Sequence, residues 1–155
     1  MKQIQRLLFL LLLCSAFGVS AAKREGGLIH KNLTLYRSAT CQCCLKWSSY
    51  MKGYGYTIHD IQSDDLVAIK ESRGIPKDLR SCHTALIGGY TVEGHVPEEE
   101  IKALLVKKPK FKGISVPGMP MGSPGMETTG PSDGFDVFSF VGNQGVKPLK
   151  HYAPK

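Results

Sequence analysis

Residues 32–44, Asn-Leu-Thr-Leu-Tyr-Arg-Ser-Ala-Thr-Cys-Gln-Cys-Cys, decide how the chain is read. In Asn32–Arg37, Leu33 and Leu35 alternate with polar Asn32 and Thr34, the two-residue period of a half-buried strand. Thr40 then offers an N-cap to a helix opening at Cys41. Trp47, Tyr50, Met51 and Tyr54 follow at i, i+3, i+4 and i+7 and make one apolar helix face, which Gly53 and Gly55 end. A strand running into a helix with three cysteines in its first turn is the unit around which the rest is ordered.

Outward from that unit, Tyr56–Ile61 reads as a second strand. Ser63 is placed to cap a second helix with Asp64 and Asp65 in its first turn, Leu66 and Ile69 on its buried side, Lys70 and Arg73 in its last turn and Gly74 as its stop. Thr84–Ile87 and Tyr90–Val92 flank Gly88-Gly89, a two-residue hairpin signal. Pro97 suits the first helical position, and with Glu98, Glu99 and Glu100 it opens a third helix through Val106. The order strand, helix, strand, helix, hairpin, helix predicts an α/β sandwich of thioredoxin type. Residues 112–134 hold six Gly and four Pro with little periodicity. A loop of that length inside a compact domain is uncommon and usually functional or disordered. Phe135–Val141 and Val146–Tyr152 predict a closing hairpin.

The full chain of 155 residues suits one domain of ordinary size, and 42% hydrophobic content is ample for a core. Five cysteines are too few for a disulfide-built scaffold. Residues 1–22 stand apart. Lys2 and Arg6 make a positive start, Leu7 to Val19 is almost wholly apolar, and Ser20, Ala21 and Ala22 are small, the pattern of a secretory signal peptide with cleavage after Ala21 or Ala22. The apolar run is shorter than the ~20 residues that span a bilayer as a helix. Cys14 follows Leu13 rather than the small residue that precedes a lipidated cysteine, so it reads as part of the signal core. Loss of Lys2 and Arg6 lowers the formal charge from +7 to +5. The remaining cysteines, Cys41, Cys43, Cys44 and Cys82, then work in an oxidising compartment. Lys107, Lys108, Lys110 and Lys112 read as a solvated helix end, where cations complement the dipole, and no nucleic-acid partner is expected. The expected organisation is a signal peptide over 1–22, a thioredoxin-like domain over 23–112 and a C-terminal extension over 113–155.

Cys41 and Cys44 form a C-x-x-C pair at a helix start, where terminal amides and the macrodipole favour the thiolate, so they are candidate redox-catalytic residues. A dithiol exchanger needs only two sulfurs; with Cys43, three within four residues make a compact group of soft metal ligands. Counting back from Gly88-Gly89 puts His83 near the position where thioredoxin-like folds carry a cis-proline facing the active cysteines. Cys82 and His83 there offer a thiol and an imidazole. Met119, Met121 and Met126 crowd the Gly/Pro-rich loop, and neutral thioethers select soft cations such as Cu(I). His95 follows the hairpin and is a further candidate ligand, whereas His30, His59 and His151 read as surface or strand residues. Zinc suits Cys/His sets. Thiolates clustered with several thioethers tilt the choice to copper, and silver satisfies the same softness argument.

Four stretches carry a family resemblance: Tyr36-Arg37-Ser38-Ala39-Thr40-Cys41-Gln42-Cys43-Cys44, Ser81-Cys82-His83-Thr84-Ala85 leading to Gly88-Gly89-Tyr90, Glu93-Gly94-His95-Val96-Pro97, and Val116 to Glu127. On these motifs, in order along nearly all of the mature chain, the protein resembles the CopG family of exported copper-resistance-associated C-x-C-C proteins. The resemblance implies a thioredoxin-like domain whose C-terminal extension completes a multicopper, cysteine-bridged site that interconverts Cu(I) and Cu(II), and it implies the periplasm. The expected function is therefore a periplasmic copper-binding protein of copper resistance, a copper oxidoreductase if redox turnover holds. Copper ions and a copper efflux or chaperone protein are its expected partners, with a monomeric chain and no membrane anchor after signal cleavage. Two other readings stay open: a thiol-disulfide oxidoreductase using Cys41 and Cys44, and a non-catalytic copper carrier or buffer.

Overall fold

The structure, a computed structural model, describes residues 31–142 and 145–154. The expected signal peptide, Cys14 and His30 lie outside these residues. Seven strands form one mixed sheet in the order β2-β1-β3-β4-β5-β6-β7. They are β1 (Asn32–Arg37), β2 (Thr57–Gln62), β3 (Thr84–Ile87), β4 (Tyr90–Glu93), β5 (Gly113–Ser115), β6 (Phe135–Phe140) and β7 (Lys147–Tyr152). The helices are α1 (Gln42–Gly53), α2 (Leu66–Ser72) and α3 (Glu98–Lys107), with a short 3-10 turn at Lys77–Leu79. β1 pairs with β2 and β4 with β5 in parallel; the other pairs are antiparallel. The α/β class and the element order expected from the sequence both hold. Among the described residues, no helix is long and apolar enough to cross a membrane.

Register assigns the two faces of the sheet. Ala85 sits opposite Leu35 on one side and Val92 on the other, so these three share a face. That face packs against Trp47 and Met51 of α1 and Ile101 and Leu104 of α3 in the main core. Thr84 sits opposite Tyr36 and Glu93 on the other face. There α2 brings Lys70, and a smaller cluster forms from Ile75, Leu79 and Phe140. Gly88 and Gly89 both have positive φ, 56° and 85°, the conformation a two-residue type I′ turn requires.

Several local expectations shift. α1 begins at Gln42, and Cys41 rather than Thr40 occupies the cap position, with no side-chain cap bond. The apolar face of α1 stops short of Tyr54, which is 49% exposed. α2 is capped by Asp65, whose carboxylate accepts from Ala68 N–H at 2.9 Å, while Ser63 Oγ accepts from Asp65 N–H. Lys70 is not a solvated dipole partner; it is 5% exposed and reaches Glu93. The stretch expected to be loop contains β5. Three residues buried between β4 and β6 show no alternation to read.

The sheet matters for function at one end. The chain leaves β1 there into Cys41–Cys44, returns through Cys82-His83 into β3, leaves β4 at Glu93 into Gly94-His95, and leaves β5 at Ser115 into the methionine loop. Four segments distant in sequence therefore converge on one place.

Candidate metal centre

Cys82 is the hub. Its Sγ lies 3.7 Å from Cys43 Sγ and 3.5 Å from Cys44 Sγ, and Cys43 Sγ is 3.5 Å from Cys41 Sγ. On its other side, Cys82 Sγ is 3.3 Å from His83 Nδ1 and 3.1 Å from His95 Nε2. Two donor groups result, Cys41/Cys43/Cys44/Cys82 and Cys82/His83/His95, each with its ligand atoms within 4.8 Å of one another. Cys82 belongs to both.

Cys41 and Cys44 are linked by a disulfide, with Cα atoms 5.4 Å apart, which leaves Cys43 and Cys82 as free thiols. Cys41 at the cap and Cys44 in the first turn of α1 lie three residues apart, and their sulfurs meet across the helix start. Cys43 instead projects toward the methionine loop and contacts Met119 Sδ at 3.9 Å. The three loop methionines thus differ. Met119 joins the cysteine group while 52% exposed, Met121 is exposed, and Met126 is half-buried. Among the described residues, neither Met121 nor Met126 makes a comparable thiol contact.

Two glycines let the segments approach. A Cβ on Gly94 would lie 2.5 Å from Ser81 Oγ and 2.5 Å from Val116 O, so the bare residue allows the His95 segment to pack beside Cys82. A Cβ on Gly125 would lie 2.7 Å from Trp47 N and 3.0 Å from Cys43 O, which seats the loop directly on the first turns of α1. Both have positive φ, 74° and 83°. The loop is further held by Ser81 Oγ, which donates to Gly118 O, and by its own turns, in which Ser123 N–H donates to Pro120 O and Met126 N–H to Ser123 O. It is ordered, not structureless.

The two imidazoles are held differently. His95 Nδ1–H donates to the Pro124 carbonyl at 2.8 Å. That bond fixes the tautomer and leaves the Nε2 lone pair toward Cys82, the second-shell device common in metal sites. His83 is fully buried against the Trp47 ring at 4.6 Å, and its Nε2 has no hydrogen-bond partner. An orphaned buried nitrogen is costly unless something else takes it up. Burial is the main cause lowering the pKa of both histidines, with the charges of His95 and Lys70 adding to the effect at His83 and the Pro124 bond opposing it at His95. Burial, with Cys43 as neighbour, pushes the Cys82 thiol up to about 12.

The linkage has a definite sign. A histidine pKa lowered on folding supports stability fully above its unfolded value of 6.5 and withdraws that support as pH falls toward the folded value. Metal-free protein is therefore expected to lose urea resistance below about pH 6.5, and His83→Gln to flatten that acid limb. An acid limb unchanged by His83→Gln would mean that the buried imidazole is not the group responsible.

Behind the hub lies a network that the sequence did not reveal. Glu93, fully buried, accepts from Lys70 Nζ, Thr84 Oγ1 and Ser81 N–H, each at 2.6 Å. Ser81 and Thr84 bracket Cys82-His83, so one carboxylate pins both ends of the ligand pair. Burial pushes the Glu93 carboxyl up, and its three donors and the Lys70 charge oppose that shift. Free thiols at Cys43 and Cys82, the Met119 thioether on Cys43 and two imidazoles on Cys82 are a donor set that fits copper, since thiolate and thioether ligands select Cu(I) and imidazole also suits copper.

The family model described as a protein of unknown function, DUF411, matches residues 79–126, the span from just before Cys82 to Met126. Two solved structures are similar to the chain. One, described as copper resistance protein copG in form 2, is 35% identical with a TM-score of 0.73, covering 79% of this chain and 98% of that chain. The other, form 1 of a protein so described, is 36% identical with a TM-score of 0.73, covering 78% of this chain and 96% of that chain. No curated protein sequence matches.

Proposed function

The chain belongs to the CopG family of copper resistance proteins, and from that premise we propose that it binds several copper ions in a cysteine-bridged site and interconverts Cu(I) and Cu(II). Its working place in this reading is the periplasm, reached by a signal peptide over 1–22.

The observation that supports the reading best is Cys82, one thiol shared by a cysteine group and a pair of buried imidazoles. A thiolate has several lone pairs, so a shared sulfur lets few side chains hold more than one ion. Sulfur at one end and imidazole at the other also suits both copper states. Cys43, Cys82, His83, His95 and Met119 are the proposed ligands in either state of the cysteine pair, joined by Cys41 and Cys44 when those two are reduced, with Met121 and Met126 as loop thioethers. Burial and the neighbouring Cys43 raise the Cys82 thiol pKa, and metal takes up the thiolate, so loading with copper is expected to release protons. Cys43→Ser is expected to lower the number of copper ions bound per chain, read by metal analysis after anaerobic loading and desalting. Unchanged stoichiometry would sink the bridging role.

The Cys41–Cys44 disulfide favours a second reading, thiol-disulfide exchange with protein substrates. It requires turnover of a disulfide substrate such as insulin without copper, at a rate indifferent to Met119→Leu. Silver remains a competitor for the same soft donors, and a copper efflux or chaperone protein is the partner this reading calls for.

A further inference from the structure

Resting on the copper reading above, we propose that the Cys41/Cys44 dithiol supplies the electrons for copper reduction at this site, and that the disulfide is the product of that step. The balance is simple. Two S–H bonds break, one S–S bond forms, two electrons pass to two Cu(II) ions to give two Cu(I) ions, and two protons go to solvent. A second turnover needs an external dithiol reductant.

Three features point to this division of labour among four cysteines. Cys41 and Cys44 stand three residues apart with Cα atoms 5.4 Å from each other, inside the usual disulfide range. The helix accommodates the bond between them as it stands. The remaining donors stay connected when that bond exists: Cys43 touches Cys82 at 3.7 Å and Met119 at 3.9 Å, and Cys82 touches both imidazoles. Oxidation thus preserves a soft set that favours Cu(I), the ion produced. Finally, each disulfide sulfur is in contact with a free thiol, Cys41 with Cys43 and Cys44 with Cys82, both at 3.5 Å. Electron donor and product-holding ligands are adjacent, so the step needs no exposed intermediate.

The test uses the mature chain, reduced and desalted without oxygen. Cupric sulfate is added, Cu(I) is read with a chromogenic chelator, and thiols are mapped by alkylation and peptide mass spectrometry. The expected result is a burst of two Cu(I) per chain, with Cys41 linked to Cys44 and with Cys43 and Cys82 alkylated. Cys44→Ser is expected to lose the burst, and so is wild-type protein oxidised beforehand, which keeps the fold described above. A disulfide mapped to Cys43–Cys82, reduction with Cys41 and Cys44 both still alkylatable, or an undiminished burst in either control overturns the proposal. Pre-formed Cu(I) offered to reduced protein separates the two readings. If Cu(I) binds but Cu(II) is not reduced, only this inference fails; if Cu(I) does not bind, the copper reading itself fails.

Discussion

Cys82→Ala is expected to cost the protein most of its copper, more than any other single side chain. Cys43 touches two cysteine sulfurs, Cys41 and Cys82, and the Met119 thioether, all on the sulfur side, whereas Cys82 lies against Cys43, Cys44, His83 and His95 at 3.1–3.7 Å. Its removal takes a ligand from both donor groups at once. Even outer-shell partners of metal ligands are worth about 10–100-fold in affinity, so loss of a shared inner ligand should exceed that range. Competition with a Cu(I) chelator reads the affinity, and metal analysis reads the count. Folding is a separate matter, because Ala fits the space of a half-buried Cys, and the urea midpoint of the metal-free variant should move little. A variant that keeps wild-type copper count and affinity would remove Cys82 from the hub.

Lys70→Met is expected to be the most destabilising change outside the donor set. It strips the ammonium from Glu93, which is fully buried and cannot reach water. Breaking a buried ion pair from one side typically costs about 3–5 kcal/mol, because the surviving charge is left uncompensated. For a chain of this size that corresponds to a fall in Tm of roughly 10 °C or more. Lys70→Met combined with Glu93→Leu should recover much of the loss, since replacing both partners with apolar groups removes the stranded charge. The double variant still frees Ser81 N–H and Thr84 Oγ1 from their anchor. It should therefore regain stability without regaining wild-type copper affinity. Calorimetry on the single and double variants, followed by copper titration, checks both halves. A Lys70→Met protein as stable as wild type would show that the pair carries no such energy.

The strand and helix around the cysteines were legible because their periods are strong: Leu33 and Leu35 are buried where alternation put them, and Trp47 and Met51 where the helix face put them. The hairpin was legible because Gly-Gly leaves a two-residue turn little choice. β5 was not, since three residues buried between two strands carry no period. The Lys70–Glu93 pair was not legible either. Its members are 23 residues apart, and each looks like an ordinary surface charge until the fold buries it. Within the site, the motifs identified the cysteines and His83, and the fold brings them together. His95 sits more centrally than its place in the sequence suggested, because its orientation depends on the Pro124 carbonyl, a backbone group with no signature. The three methionines are alike in sequence; only the fold singles out Met119 as the one touching a cysteine.

Whether sulfur bridges several copper ions is read by X-ray absorption at the copper edge, on the reduced chain loaded anaerobically with Cu(I). The expected spectrum shows sulfur-dominated ligation with some nitrogen and a copper–copper scattering path, the path weakening in Cys82→Ala. Copper surrounded by nitrogen and oxygen alone, or sulfur-bound copper with no neighbouring metal, would contradict it.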